Sequence, residues 1–242
     1  MKYGSITTGI IADGLVFNMD AANRASTIPS TSTLKTFNTL NTSISGSIIT
    51  DATWEDGSPP TFDFDGSDGY IDFGDNDIFT FGNGTNDEPF SIFSWIKIFA
   101  TTSQGIVTKY GSSTSLREWL FYTTGGKLRL LLWNGSTNNF ATGTTTFSTD
   151  TWYNIACTYD GRGGSTAYNG INLYINSVLE SVTTSGGSYT AMNNTSQPVQ
   201  IATHSGGSFL NGNIGPTQIY NRALSANEVL HNYNALKGRF GL

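Results

Sequence analysis

Between Leu15 and Thr203 the chain is a succession of short runs in which apolar and polar residues alternate, broken by Gly, Asn, Asp and Ser. A period of two puts alternate side chains on opposite faces of an extended strand, which is the pattern of sheet and not of helix. One run constrains the rest. In residues 90–99, Phe90, Ile92, Ile96 and Ile98 share one face while Phe93 and Trp95 share the other. A strand apolar on both faces belongs in the middle of a sheet that is covered twice.

The neighbouring runs supply the remaining strands. Leu15, Phe17 and Met19 line one face of a first strand. Residues 21–60, rich in Ser, Thr, Asn and Pro, read as a long wrapping excursion with one short strand. Residues 61–65 and 70–73 read as a hairpin around Gly66 and Gly69, with Phe62, Phe64, Ile71 and Phe73 on one buried face. The 106–110 run is expected to continue the sheet. Gly125 and Gly126 separate the 119–122 and 127–133 runs, a hairpin signal. Within it Leu128, Leu130 and Leu132 alternate with Arg129, Leu131 and Trp133. Residues 152–159, 171–175 and 199–203 add further strands, the second turning at Asn176 and Ser177. Roughly a dozen strands at this spacing predict an all-β, two-sheet antiparallel sandwich. Its expected core is Phe62, Phe64, Phe93, Trp95, Leu130, Ile155, Leu173 and Ile219.

One helix follows. Ser225 and Glu228 stand at capping-box spacing, and Leu224 and Val229 occupy the two staple positions around that cap. Val229, Leu230, Tyr233 and Leu236 form one apolar stripe over 226–237, and Gly238 is placed to end the helix in a left-handed conformation. So short a helix is marginal alone and is expected to dock on the sheet. Residues 14–242 therefore read as one domain. Residues 1–13, with Tyr3, Ile6, Ile10 and Ile11, read as an arm. It would bury those side chains either by adding to a neighbour's sheet edge or by folding back along its own first strand.

Only 12% of residues are charged, against about 25% in an average globular protein, and the formal net charge is −6. That balance argues against nucleic acid and anionic membrane as partners. Cys157 is the sole cysteine and lies in an apolar strand pattern, so it reads as a buried inert thiol with no disulfide partner in the chain. No apolar run is long enough to span a bilayer, and Met1 to Ile6 does not lead into a secretory apolar stretch.

The IYNRALS run at 219–225 with Glu228 resembles the closing strand and helix of laminin-G-like, concanavalin A-like jelly-roll domains. GLVFNMDA at 14–21, FDFDGSDGYIDF at 62–73, WYNIACTYDG at 152–161 and NLYINSVLE at 172–180 resemble other landmarks of that family. The resemblance implies a jelly roll in which the first strand lies beside the closing one. The family often carries a structural calcium, and no other cofactor is implied. Eleven of the 18 carboxylates fall in residues 51–88, and Asp65 and Asp68 are the candidate calcium ligands. Against this, 215–218 carries no acid where many members have one. Glycanases of this fold use Glu-x-Asp-x-x-Glu on one strand. None of the five Glu begins such a motif, and Glu118 has no acid in phase with it, so the chain is expected not to be an enzyme. His204 and His231 have no Cys or Asp at metal or triad spacing.

A sugar site needs an exposed aromatic face, and Tyr110, Trp119 and Trp133 are the candidates, with Tyr168 and Tyr189 also near loops or sheet faces; each is weighed against packing in the core. The 230–242 tail, with Asp20, Ala21 and Asn23, resembles laminin-G-like domains of tailed-phage virion proteins, marine phages in particular. That likeness implies a virion decoration, fibre or adhesin component. Such a protein would be made in the host cytoplasm, joined to other virion proteins or its own copies through the arm, and directed at host surface glycans. The alternatives are a carbohydrate-binding module of an extracellular system and, more distantly, a glycan-processing enzyme.

Overall fold

The computed structural model describes residues 9–23, 27–28, 35–37, 44–50 and 52–242. Two antiparallel sheets form a sandwich. The eight-stranded first sheet runs, edge to edge, Val178–Leu179, Ile171–Ile175, Trp152–Tyr159, Phe90–Ile98, Asn211–Tyr220, Thr61–Asp65, Thr53–Glu55, with Leu15–Met19 also on Asn211–Tyr220. The ten-stranded second sheet runs Val182–Gly186, Asn138–Thr146, Lys127–Trp133, Arg117–Thr124, Gln104–Tyr110, Gln200–Ile201, Tyr70–Asp72, Ser45–Ile49, Lys35–Phe37, Thr27–Ile28. The first strand lies beside the closing one, as the resemblance implies.

Alternation decides what enters the sandwich. Phe90, Ile92, Ile96 and Ile98 face inward to meet Leu128, Leu130 and Leu132 from the second sheet, and all seven are fully buried. Phe62, Phe64, Ile155, Leu173 and Ile219 join them. Phe93 and Trp95 do not. They face the other way and form a second apolar layer with Tyr220, Leu224, Val229, Leu236 and Phe240 beneath the helix. Their expected place in the sandwich core is thus corrected, because odd and even positions of one strand cannot share a face.

Two pairings also differ from the sequence reading. Thr61–Asp65 pairs with Asn211–Tyr220 in the first sheet, while Tyr70–Asp72 pairs with Ser45–Ile49 and Gln200–Ile201 in the second. The turn between them crosses from sheet to sheet instead of closing a hairpin, and its four apolar residues meet across the core. Gln104–Tyr110 likewise lies in the second sheet, opposite Phe90–Ile98. The Gly125-Gly126 hairpin forms as expected, both glycines having positive φ (57° and 68°), the requirement of a tight turn between twisted strands. The 21–60 stretch holds four short strands among its described residues.

The helix spans Ala226–Leu236 and opens with the expected capping box: Ser225 accepts from the Glu228 amide and Glu228 accepts from that of Ser225. Arg222 grips the Glu228 carboxylate through Nη1 at 3.0 Å and Nη2 at 2.6 Å, next to the positive end of the helix dipole. Val229 and Leu236 are buried, but Leu230 is exposed and the polar Asn232 is buried in its stead. Asn232 Nδ2 donates to Tyr220 Oη at 2.9 Å, and its Oδ1 accepts from the Ile11 amide at 2.8 Å. The helix passes into a 3₁₀ turn at Lys237–Arg239. Gly238 does not take the left-handed conformation; Gly241 does, at φ 73°. The extra turn swings Phe240 onto Trp95, with ring centroids 4.1 Å apart and planes 8° apart, and Tyr233 stacks on Trp95 at 5.8 Å. Gly215 leaves room for this, since a Cβ there would sit 2.9 Å from the Phe240 ring. Arg239 then fixes the tail by a two-pronged pair with the buried Asp20, at 2.8 and 2.9 Å.

The described end of the arm belongs to this layer. Ile10 is buried under the helix, Ile11 O accepts from Tyr220 Oη at 3.1 Å, and Asp13 pairs with Arg222 at 2.9 Å. Ile10 and Ile11 are therefore engaged with their own chain and not offered to a partner. Tyr3 and Ile6 lie outside the described residues. No helix among the described residues is long and apolar enough to cross a membrane.

Two outcomes follow from this layer. Trp95→Ala empties the site on which both Phe240 and Tyr233 stack and is expected to cost about 3–5 kcal/mol, read from the denaturant midpoint; a loss under about 1 kcal/mol would contradict the packing described. The Glu228 carboxyl is pulled from 4.5 down to about 2, chiefly by Arg222 and then by the Ser225 amide. Its stabilisation is therefore complete above pH 4.5 and disappears as the pH falls toward 2. Glu228→Gln should flatten that limb of the stability–pH curve; a curve parallel to the parent's would refute the assignment.

Candidate functional site

The helix layer covers one outer face of the sandwich and leaves the other. On the outer face of the second sheet, Tyr110, Leu120, Tyr122 and Leu131 form a separate apolar cluster flanked by the half-buried Trp133 and Phe140. These are the alternates of core residues: Leu131 and Trp133 point away from Leu130 and Leu132, and Tyr122 away from Phe121. Arginines lie across the rings. The Arg117 guanidinium is 4.7 Å from the Tyr110 ring centre and 5.2 Å from that of Trp133, while Arg129 is 4.3 Å from Phe140 and 5.7 Å from Tyr122. Tyr110 and Trp133 meet edge to face at 6.3 Å. Trp133 Nε1 donates to Thr114 O at 3.1 Å and Arg117 Nε to Gly111 O at 3.1 Å, so the 111–116 loop is pinned beside the face.

His204 packs against Tyr122 at 5.4 Å and Tyr110 at 6.4 Å. Burial, and then the charge of Arg117, push its pKa from 6.5 to about 4, so the ring is neutral near pH 7. Burial raises the Tyr110 and Tyr122 hydroxyls, partly offset by Arg117 and Arg129 respectively. What results is an amphipathic surface of aromatic faces, cationic donors and hydroxyls, suited to hold a polar ligand that has apolar patches of its own.

Tyr110 and Trp133 thus come together, but Tyr110 is buried beneath Arg117 and does not offer the exposed ring expected of it, while Trp133 is half-buried. Trp119 does not join them. It is fully buried in the sandwich beside Phe81 and Phe90, with Nε1 donating to Phe79 O at 2.9 Å. The cause is a break in register between Arg117 and Trp119, where Arg117–Thr124 pairs with Gln104–Tyr110. An inserted residue reverses the alternation, so Arg117 faces out while Trp119 faces in. Tyr189 is also committed to the interior: it and Tyr159 donate to the buried Asp87 at 2.8 and 2.7 Å, and the Met192 amide donates at 2.7 Å. Tyr168 is half-buried, packed near Gly186.

Asp65 is exposed, and its Oδ1 accepts from the Ser67 amide at 2.8 Å. Asp68 has an enclosed Oδ1 with no hydrogen-bond partner. Among the described residues no group of three carboxylate, His or Cys side chains converges here or elsewhere. Calcium takes six to eight oxygens, and this pair does not fit such a cage.

The sequence reading passed over a buried ion pair. Lys109 and Glu118 side chains are both fully enclosed, with Lys109 Nζ 2.7 Å from Glu118 Oε1, 2.9 Å from Asp75 Oδ1 and 2.9 Å from Thr195 O. Glu118 Oε1 also accepts from the Thr195 amide and hydroxyl at 2.8 and 2.9 Å. The same register break turns Glu118 inward. Burial raises its pKa, opposed by Lys109. Cys157 is buried, and its thiol pKa is raised by burial.

Lys109→Met strands the Glu118 carboxylate and is expected to cost about 3–5 kcal/mol at pH 7, most of it recovered in Lys109→Met/Glu118→Leu. In the single variant the folded-state pKa of Glu118 lies above the unfolded one. The penalty therefore grows as pH rises through 4.5 and shrinks below it. A pH-independent loss, or one under about 1 kcal/mol, would contradict a buried charge pair.

Comparison with known proteins bears on the fold directly. The binding domain of Paraclostridial mosquitocidal protein 1 superposes with a TM-score of 0.65 at 16% identity, covering 96% of this chain and 53% of that one. The ligand-binding domain of botulinum neurotoxin serotype D, in complex with N-acetylneuraminic acid, gives 0.60 at 13% identity, covering 95% and 52%. Domain 4 of an extracellular GH43 arabinanase from Geobacillus stearothermophilus, in complex with arabinotriose, gives 0.58 at 15% identity, covering 90% and 98%. The chain spans about half the length of the toxin domains and nearly all of the arabinanase domain. No curated protein matches it by sequence. A family profile described as concanavalin A-like lectin/glucanases superfamily matches residues 65–230, which takes in the central strand, the aromatic face, the closing strand and the helix cap. The chain belongs to the concanavalin A-like lectin/glucanase superfamily.

Proposed function

We propose that this domain is a non-enzymatic carbohydrate-binding module whose ligand lies on the outer face of the second sheet. The observation that carries the reading is the half-buried Trp133 and Phe140, lying over the buried Tyr110 and Tyr122, crossed by Arg117 and Arg129 and left uncovered by the helix layer. Sugars stack their apolar faces on aromatic rings and hydrogen-bond at their edges, and such a surface supplies both contacts. The arabinotriose complex of the arabinanase domain supports the reading, because that domain is covered almost whole. The toxin binding domains support it less, since the ligand-bearing chains are twice as long.

The setting we propose is the exterior of a tailed-phage virion, as decoration, fibre or adhesin component contacting host surface glycans. It rests on the resemblance of the 230–242 tail and of the Asp20 region. The extracellular alternative has the same binding face. Antibody labelling of purified particles separates the two: label on the particle exterior supports the virion setting, and label absent from particles overturns it.

Trp133 is half-buried and, besides its indole bond to Thr114, rests only on Arg117 and Tyr110 at the surface cluster, so Trp133→Ala should leave the melting temperature within a few degrees. Loss of an aromatic anchor is worth about 2 kcal/mol, so affinity for any saccharide found on a glycan array should drop about tenfold or more. An array with no binder, or a Trp133→Ala variant that binds as the parent does, would overturn the proposal.

A further inference from the structure

We propose, resting on that reading of the site, that the saccharide is an acidic one whose carboxylate groups pair with Arg117 and Arg129. The charge pattern of the domain leads there. Against a net charge of −6, five cations among the described residues are held by carboxylates. Arg162 pairs with Asp160, Arg222 with Asp13 and Glu228, Arg239 with Asp20, Lys109 with Asp75 and Glu118, and Lys97 with Asp150. Among the described residues, Arg117 and Arg129 are the arginines without a carboxylate partner. Both lie on the aromatic face.

Each is oriented by neutral groups alone. Arg117 donates from Nε to Gly111 O at 3.1 Å and from Nη2 to Ser112 O at 2.8 Å. Arg129 donates from Nε to Thr142 Oγ1 at 2.6 Å and from Nη1 to Tyr122 Oη at 3.1 Å. These bonds and the rings beneath restrain both guanidiniums before any ligand arrives, which lowers the entropy cost of using them. Arg117 also hydrogen-bonds the Tyr110 side chain, and Arg129 Nη2 keeps donors with no hydrogen bond among the described residues. A planar carboxylate matches a guanidinium edge with two parallel hydrogen bonds. His204, the other ionisable nitrogen at the face, is neutral near pH 7 and does not compete for the anion. Were the arginines there only to cover apolar rings with their stems, the face would be indifferent to ligand charge.

A matched pair of probes separates these readings: trigalacturonic acid and its fully methyl-esterified form, which differ only at the carboxyl groups, anionic in one and capped by a methyl in the other. Isothermal titration of the intact domain is expected to show the acid binding at least about tenfold tighter at low salt. That advantage should shrink toward about 0.5 M salt as the charges are screened. Arg129→Gln should cut the acid-to-ester affinity ratio about tenfold, and Arg129→Lys should restore only part, since the ammonium lacks the planar fork. Arg117→Gln should act in the same direction; if it loosens the 111–116 loop and lowers the melting temperature, the Arg129 variants decide. Equal affinity for acid and ester, or an unchanged ratio in Arg129→Gln, overturns this inference and leaves the glycan-binding proposal standing. A sulfated trisaccharide bound as tightly as the acid overturns the assignment to a carboxylate. If neither this pair nor any glycan on an array binds, the glycan-binding proposal falls and takes this inference with it.

Discussion

A strand that is apolar on both faces has to be covered twice, and Phe90–Ile98 imposes that demand at the centre of the first sheet. Its inward side chains are satisfied by the second sheet. Its outward pair, Phe93 and Trp95, needs another layer, supplied by a helix too short to persist alone. The dependence is mutual: the helix lends Tyr233, and the turn after it lends Phe240, to enclose Trp95, and Trp95 gives that segment somewhere to be. Once one outer face is spent on this packing, the outer face of the second sheet is the broad surface left for a ligand.

Polar contacts tie the loops and the chain's end to the sandwich, a task that disulfides perform in many extracellular domains. Lys109 and Glu118 bind the Thr195 loop to the second sheet. Asp87 gathers Tyr159, Tyr189 and the Met192 amide, and Arg239 ties the chain's end to Asp20. Removing one member of such a set leaves a desolvated charge or hydroxyl behind, so each set acts as a unit. The loops they anchor are long and rich in Gly and Asn, and their positions depend on these few buried partners.

The register break between Arg117 and Trp119 shapes the candidate site more than any other local feature. Without it, Arg117 and Trp119 would share a face, and Glu118 the opposite one. With it, Trp119 fills the core, Glu118 reaches Lys109, and Arg117 is left over Tyr110 and Trp133. One extra residue thus contributes both to the ion pair inside and to the cationic aromatic surface outside. Nothing in the local composition marks that insertion, because it is defined by how the strand pairs with Gln104–Tyr110.

Much was legible in the sequence because it depends on near neighbours. The period-two pattern specified most of the strands, with Asn138–Thr146 and Val182–Gly186 too polar to show it; Ser225 and Glu228 specified the helix start, and the alternation of Leu128 to Trp133 set Trp133 on the face opposite Leu128, Leu130 and Leu132. The family resemblance paired the first strand with the last. Tertiary structure alone decided the rest: that residues 61–65 and 70–73 part to different sheets, that Trp95 packs outward under Phe240, that Asn232 takes the buried place expected of Leu230, and that Trp119 is lost to the core. Each turns on which distant segment supplies a partner. Local pattern reports that a side chain is apolar or polar, and pairing register determines which of the two faces it reaches.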